Sequence, residues 1–424
     1  MIKRLKSSVL FKNTFIYTLT EIINKAIPFL LLPILTMYLS PSDYGIVATF
    51  GAFSAILAVF IHLGMNGAIN VNFFNLSKEQ LKIYIFNALI VVSIATSIAF
   101  IFVLIFQDIL SEQLAIPKIW LVVGVILAFS QFVTAVNLNL WQFEQKPKPY
   151  GVYQVLGMLT NVSIVLILVV WLGMKWEGQL IGLAIAKILF SIGSFGFIYK
   201  RGYLLFKIKK DYIEDALKFG APLIPHVLSG WFRTGIDRVL LTTLIGTSAT
   251  GLYAVGYQFG LIVGIIATAF NQAYAPYLYK KLTSIDMNGK RKLVKFTYMC
   301  FFAYLMFATL ISLTMPWLIE NFLNEKYHSA GEFIPLISFG YAFQGMYLMV
   351  VNYIFYMKKT VVLSLITFTS GLFHAILSYL LITFHGAIGA AEATVISFFI
   401  LFITVWLWST KVYDMPWTLK SNNA

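Results

Sequence analysis

The polar residues of this chain are confined to short intervals between long apolar runs. A helix needs roughly 20 residues to cross a bilayer, and the runs meet that length. Six fall in the first half, over Thr14–Leu39, Tyr44–Asn70, Ile83–Phe106, Ile119–Trp141, Tyr150–Leu172 and Gly178–Tyr199. Six more follow over Ala216–Ile245, Gly251–Tyr279, Leu293–Leu313, Ile334–Tyr356, Val361–Phe384 and Ala387–Trp408. The alternation of a barrel strand is absent and an open sheet cannot satisfy its backbone in lipid, so the runs predict helices. The expected architecture is an all-α integral membrane protein of twelve transmembrane helices. The interval Lys200–Ile213 parts them into two six-helix lobes, placed at 1–207 and 208–424.

Composition agrees. Of 424 residues 59% are hydrophobic and 11% charged, and the mean hydropathy is +0.83. Soluble domains carry about 25% charged residues, so no sizeable aqueous domain is expected. The first span is too long for a cleavable signal peptide and lacks a small-residue cleavage site after it. Trp120, Trp171, Trp176 and Trp317 sit near span ends, as interfacial anchors do.

The net charge of +14 would point to nucleic acid in a soluble protein. Here about 23 of the 31 basic residues fall in alternate loops, from Lys3 and Arg4 through Lys200–Lys210 and Lys290–Lys295 to Lys411. The opposite loops hold Lys118, Lys175 and Lys326 among acidic residues such as Asp108, Glu177 and Glu320. The positive-inside rule assigns the basic side and both termini to the cytoplasm. The charge is thus a topology signal, helped by anionic headgroups, and no nucleic-acid partner is expected. One Cys excludes an internal disulfide, five scattered His offer no metal-ligand spacing, and Gly289-Lys290 lacks the upstream Gly of a phosphate loop. No cofactor, metal or catalytic residue is expected.

The halves repeat weakly. Leu35-Thr36 and Ser40-Pro41-Ser42-Asp43-Tyr44-Gly45 lie over Leu241-Thr242 and Gly246–Gly251, with Gly45 matching Gly251 and Ala48 matching Ala254. An even number of spans per half makes the repeats parallel, related by a pseudo-two-fold along the membrane normal, as in alternating-access carriers. The segment Leu35-Thr36-Met37-Tyr38-Leu39-Ser40-Pro41-Ser42-Asp43-Tyr44-Gly45 resembles the turn between the first two helices of bacterial polysaccharide-export flippases. The segment Gly235-Ile236-Asp237-Arg238, followed by Gly246 and Gly251-Leu252-Tyr253, is similar to their seventh helix. These are Wzx-type oligosaccharide flippases of the multidrug/oligosaccharidyl-lipid/polysaccharide superfamily.

Charges inside the bilayer carry the functional reading, since each costs about 2.5–3.5 kcal/mol at a helix centre. In span one Glu21, Asn24, Lys25 and Pro28 share a face. In span seven His226, Gly230, Arg233 and Asp237 form a stripe with Arg238 beside it. Lys187, His374 and Glu392 are further interior positions. Glu21 with Lys25 and Arg233 with Asp237 are spaced i, i+4 and can instead neutralise one another. Isolated Asn and Gln, among them Asn137, Asn271 and Asn352, read as helix-packing hydrogen bonders, and His374 as a packed histidine. Pro28, Pro33, Pro222, Pro225 and Pro276 are expected to bend spans one, seven and eight.

The resemblance implies a polyprenyl-pyrophosphate-linked oligosaccharide as substrate, O-antigen or a similar surface polysaccharide unit, moved from the cytoplasmic to the periplasmic leaflet of a bacterial inner membrane. A cationic central cavity suits it, because Arg and Lys give charge-assisted bonds to phosphate oxygens. Lys25, Arg233, Lys187, Arg238 and Asn24 are the candidates for the diphosphate. Glu21, Asp237, Glu392 and His226 are those for a coupling proton or sodium ion. Membrane lipids, a polysaccharide polymerase and a chain-length regulator are the implied partners. The alternative is a multidrug and toxin extruder for organic cations, which calls for an acidic interior. A membrane glycosyltransferase or polymerase calls for larger outer loops.

Overall fold

The computed structural model describes residues 9–418, with several side chains of the first helix, Glu21, Lys25 and Pro28 among them, outside the described residues. The chain packs as two compact units, 1–228 and 229–424. Ten helices are long and apolar enough to cross a membrane by length and composition. With α1 (Val9–Tyr38) and a broken seventh span they make the twelve expected.

The first shared motif is a helix start. Ser40 caps α2 (Pro41–His62): its Oγ accepts from the Asp43 N–H at 3.1 Å, while Asp43 Oδ2 accepts from the Ser40 N–H at 2.8 Å. This reciprocal box, with Pro41 in the first turn, satisfies donors that lipid would leave bare. Leu35, Leu39 and Tyr44 of the same motif are buried around it.

The second span is interrupted where the sequence read it as continuous. Leu63 and Gly64 adopt left-handed conformations before α3 (Met65–Asn75). Gly64 has φ +71°, and a Cβ there would lie 2.7 Å from Gly220 Cα, so only glycine fits.

The remaining spans of unit 1 are α4 (Lys78–Leu114), α5 (Lys118–Phe143), α6 (Pro147–Leu166, closing in a π turn over Ile167–Trp171) and α7 (Lys175–Lys200). A short helix, α8 (Lys210–Gly220), follows the basic interval. Asn87 ties that interval down, donating to Lys207 O at 2.8 Å and accepting from the Lys209 N–H at 2.9 Å.

The seventh span is split. After a 3-10 turn at Ala221–Leu223 come α9 (Ile224–Thr234) and α10 (Ile236–Leu244), separated at Gly235. Unit 2 continues with α11 (Thr247–Leu282), α12 (Met287–Phe322), a 3-10 segment (Glu325–Phe333), α13 (Ile334–Tyr356), α14 (Thr360–His385) and α15 (Ile388–Val412).

Packing within each unit repeats span for span. In unit 1, α5 packs against α2, α4 and α7; α7 packs on α6, α6 on α1, and α2 on α4. In unit 2, α13 packs against α11, α12 and α15; α15 packs on α14, α14 on α10, and α11 on α12. The weak sequence repeat thus carries a shared scheme, with the fourth helix of each six at the centre.

A polar clasp joins the end of α5 to the end of α7. Glu144 pairs with Arg201 at 2.8 Å and with Lys146 at 2.9 Å, and accepts from the Tyr203 hydroxyl. The Arg201 guanidinium also donates to Asn137 Oδ1 at 3.0 Å and stacks on Trp141. Burial alone would raise the Glu144 carboxyl, but hydrogen bonds from Tyr203, Arg201 and Lys146 outweigh it and pull the group from 4.5 to about 2. A carboxyl lowered by folding stabilises above its unfolded value, so this contribution is complete above pH 4.5 and lost as pH falls toward about 2. In detergent, the melting-temperature advantage of the unaltered protein over Glu144→Gln is expected to be constant near neutrality and to shrink below pH 4.5.

Candidate functional site

Each unit holds a polar cluster that takes in residues predicted for the site. In unit 1 it is a cavity of about 420 Å³ bounded by α1, α5, α6 and α7. Asn24, Gln131, Gln154, Asn161 and Lys187 line it together with Tyr153. Asn24 donates to Gln154 Oε1. Asn24 Oδ1 and Asn161 Oδ1 find no hydrogen-bond partner, and Lys187 forms no ion pair, among the described residues. Buried polar atoms are nearly always satisfied, so the cavity offers unused capacity for a polar guest. Lys187, half-buried at the middle of α7, is the basic residue among those that line it. Two predicted binders, Asn24 and Lys187, therefore meet in one cavity, and the side chains of Lys25 and Glu21 lie outside the described residues.

In unit 2 the cluster is buried and centred on Asp237, 1% exposed. The hydroxyl of Ser378 donates to its Oδ1 at 2.6 Å and that of Tyr253 to its Oδ2 at 2.8 Å. His374, also 1% exposed, places Nε2 3.1 Å from Asp237 Oδ1 and Nδ1 2.8 Å from Ser397 Oγ. The Ser397 hydroxyl also lies 3.2 Å from Thr394 O, so the chain of contacts runs from Asp237 through His374 to α15.

The second shared motif is explained by this geometry. Its Asp237 and Tyr253 are sixteen residues apart and bond to each other, with Gly246 at φ +127° opening the turn between their helices.

Several expectations are corrected. Asp237 does not pair with Arg233: the Arg233 guanidinium donates to Thr367 O at 3.1 Å, while Asp237 turns to α14. The break at Gly235 lies between the two residues and interrupts the helical spacing that suggested their pairing. Arg238 is engaged locally, donating to Thr234 O and stacking 4.6 Å over the Tyr257 ring. Glu392 is not an isolated interior charge: it lies at the start of α15 and pairs with the exposed His385 at 2.6 Å. His226 is exposed on α9. The sequence missed the partners of Asp237, because residues 16, 137 and 141 positions away cannot be read from helical spacing. The only sequence signal was the tyrosine of the motif. The isolated amides do glue helices: Asn352 donates to Asn271 Oδ1 at 2.8 Å, and Asn139 to Asn70 Oδ1 at 3.1 Å.

Comparison with known proteins adds a family. A protein of the Lsg locus of Haemophilus influenzae is 27% identical over 84% of this chain and 86% of its own length. A membrane protein of the same bacterium is 25% identical over 83% and 85%. Among solved structures, the lipid II flippase MurJ in an inward closed conformation matches with a TM-score of 0.75 at 16% identity, covering 95% of this chain and 88% of that one. An inward-facing MATE-family multidrug resistance transporter of the MOP superfamily matches with 0.69 at 15%, covering 92% and 97%. At such identities these two show a common fold. The polysaccharide biosynthesis protein family model matches residues 10–281, the segment that contains both sequence motifs. The resemblance read from those motifs is borne out, and this chain belongs to the polysaccharide biosynthesis protein family.

Proposed function

We propose that the chain is a flippase that carries a polyprenyl-pyrophosphate-linked oligosaccharide from the cytoplasmic to the periplasmic leaflet of a bacterial inner membrane. The observation that carries this reading is Lys187, a cation in a membrane-embedded cavity with no carboxylate paired to it among the described residues. An ammonium ion in that setting favours an anionic guest, and the amides around it favour hydroxyl-rich neighbours. Lys187 and Asn24 hold the diphosphate, assisted by Lys25, while the polyprenyl tail remains in lipid. Asp237, with His374, is the ionisable group best placed for coupling to an ion, since among the described residues it is the coupling candidate seated in a closed polar cluster. Glu392 and His226 have exposed surroundings that suit the role less well. Family membership and the fold shared with a lipid II flippase support the same class of substrate.

The test is a knockout scored for surface polysaccharide and for accumulated polyprenyl-linked repeat units, complemented with variants at normal expression. Loss of one charge-assisted bond predicts that Lys187→Gln lowers export by roughly tenfold or more, and Lys187→Arg by less. Full export by Lys187→Gln would remove the basis of this reading. Cationic-drug sensitivity in the knockout with intact surface polysaccharide would favour an extruder instead.

A further inference from the structure

Unit 2 contains a second cavity, of about 470 Å³, where α11 ends and α12 begins. Its wall is aromatic. Phe270 and Tyr274 are stacked at 5.7 Å with their rings 16° apart, and Phe296 lies 5.7 Å from Tyr274 on the facing helix. Its rim is basic: Lys281 from the last turn of α11 and Lys292 from the second turn of α12 are exposed there. Neither lysine forms an ion pair among the described residues. The adjacent acid, Asp286, is occupied in capping α12, where its Oδ1 accepts from the Gly289 N–H at 2.8 Å.

We propose that this cavity is a binding site for the headgroup of an anionic phospholipid. The ligand must be charged at one end and apolar at the other, because two uncompensated ammonium groups border a wall of rings. An inorganic anion leaves the rings without a partner, and a neutral sugar leaves the two ammonium groups without a counter-charge. Aromatic and basic side chains gather where lipid meets water, and basic pockets between transmembrane helices take acidic headgroups. The site belongs to the end of unit 2 that carries Lys280, Lys281, Lys290, Arg291 and Lys292, the end that charge distribution assigns to the cytoplasmic leaflet. It is independent of the flippase reading, which rests on Lys187 in unit 1.

The experiment is native mass spectrometry of the purified full chain in detergent, titrated with phosphatidylglycerol, with phosphatidylcholine of the same acyl chains, and with inorganic phosphate. Phosphatidylglycerol is expected to be retained about thirtyfold more strongly than phosphatidylcholine, the effect of two lysines near a headgroup. The double substitution Lys281→Gln, Lys292→Gln should reduce it to the phosphatidylcholine level, and Lys281→Arg, Lys292→Arg should keep the preference. Equal retention of the two lipids by the unaltered protein overturns the proposal, a result that does not depend on any variant folding. So does an undiminished preference in the glutamine variant. Displacement of phosphatidylglycerol by millimolar phosphate would make this a free-anion site and overturn the lipid assignment.

Discussion

Exchange of Asp237 for alanine is expected to destabilise unit 2 by about 3–5 kcal/mol, the usual result of removing one partner of a buried pair. The loss comes from what stays behind. His374, Ser378 and Tyr253 all aim hydrogens at the carboxylate, and none reaches water once it is gone. Asp237→Asn separates architecture from ionisation. The amide has nearly the same shape and its oxygen still accepts, so the melting temperature should fall much less than for alanine. Export should nevertheless be lost if the carboxylate takes part in ion coupling. Thermal unfolding of purified Asp237→Ala, His374→Ala and the double variant measures the coupling directly: the double variant should be more stable than the sum of the single losses predicts. Additive losses would show that the two residues do not act as a pair.

A second large effect is expected on α11. Gly256, Gly260 and Gly264 form a stripe at i, i+4 spacing against the 3-10 segment and α13. A Cβ on Gly256 would lie 2.4 Å from Ala330 O, one on Gly260 2.5 Å from Ile337 Cγ2, and one on Gly264 2.3 Å from the Tyr341 ring. Small residues let helix backbones approach closely in lipid, where packing replaces the hydrophobic drive. Gly256→Val meets a backbone carbonyl that cannot rotate away, and should cost about 1–3 kcal/mol or more by overpacking. Gly51→Ala in α2 is the control, since nothing lies within 4 Å of its added Cβ. There, reduced freedom of the unfolded chain should give a neutral or slightly positive change of up to about 1 kcal/mol. Melting temperatures of the two variants should therefore move apart. If Gly256→Val melts with the unaltered protein, close packing of α11 on the 3-10 segment is not a source of stability.

Local features were legible in the sequence and remote ones were not. Ser40-Pro41-Ser42-Asp43 announces a helix start because a capping box is complete within four residues. Spans followed from apolar length. Asp237 was recognisable as an anomaly, yet helical spacing offered Arg233 as its partner. The true partner, 137 residues away, is set by the packing of α10 on α14. His374 was correctly read as packed rather than free, without sight of what it packs against. The interruptions at Leu63–Gly64 and Gly235 were hidden because a single glycine in an apolar run is compatible with an unbroken helix. The glycine stripe was there to be read, since small residues at fixed spacing need no tertiary knowledge.

The break at Gly235 does more than shorten a span. It creates a fresh helix start in the hydrocarbon interior, and Asp237 occupies the first turn of that start. Aligned peptide dipoles give such an end the equivalent of roughly half a positive charge. Main-chain geometry thus acts as a partial counter-ion for a carboxylate that no water can solvate. A tally of lysines, arginines and acids omits this contribution, so the electrostatic character of the second unit's interior is set in part by where its backbone stops being continuous.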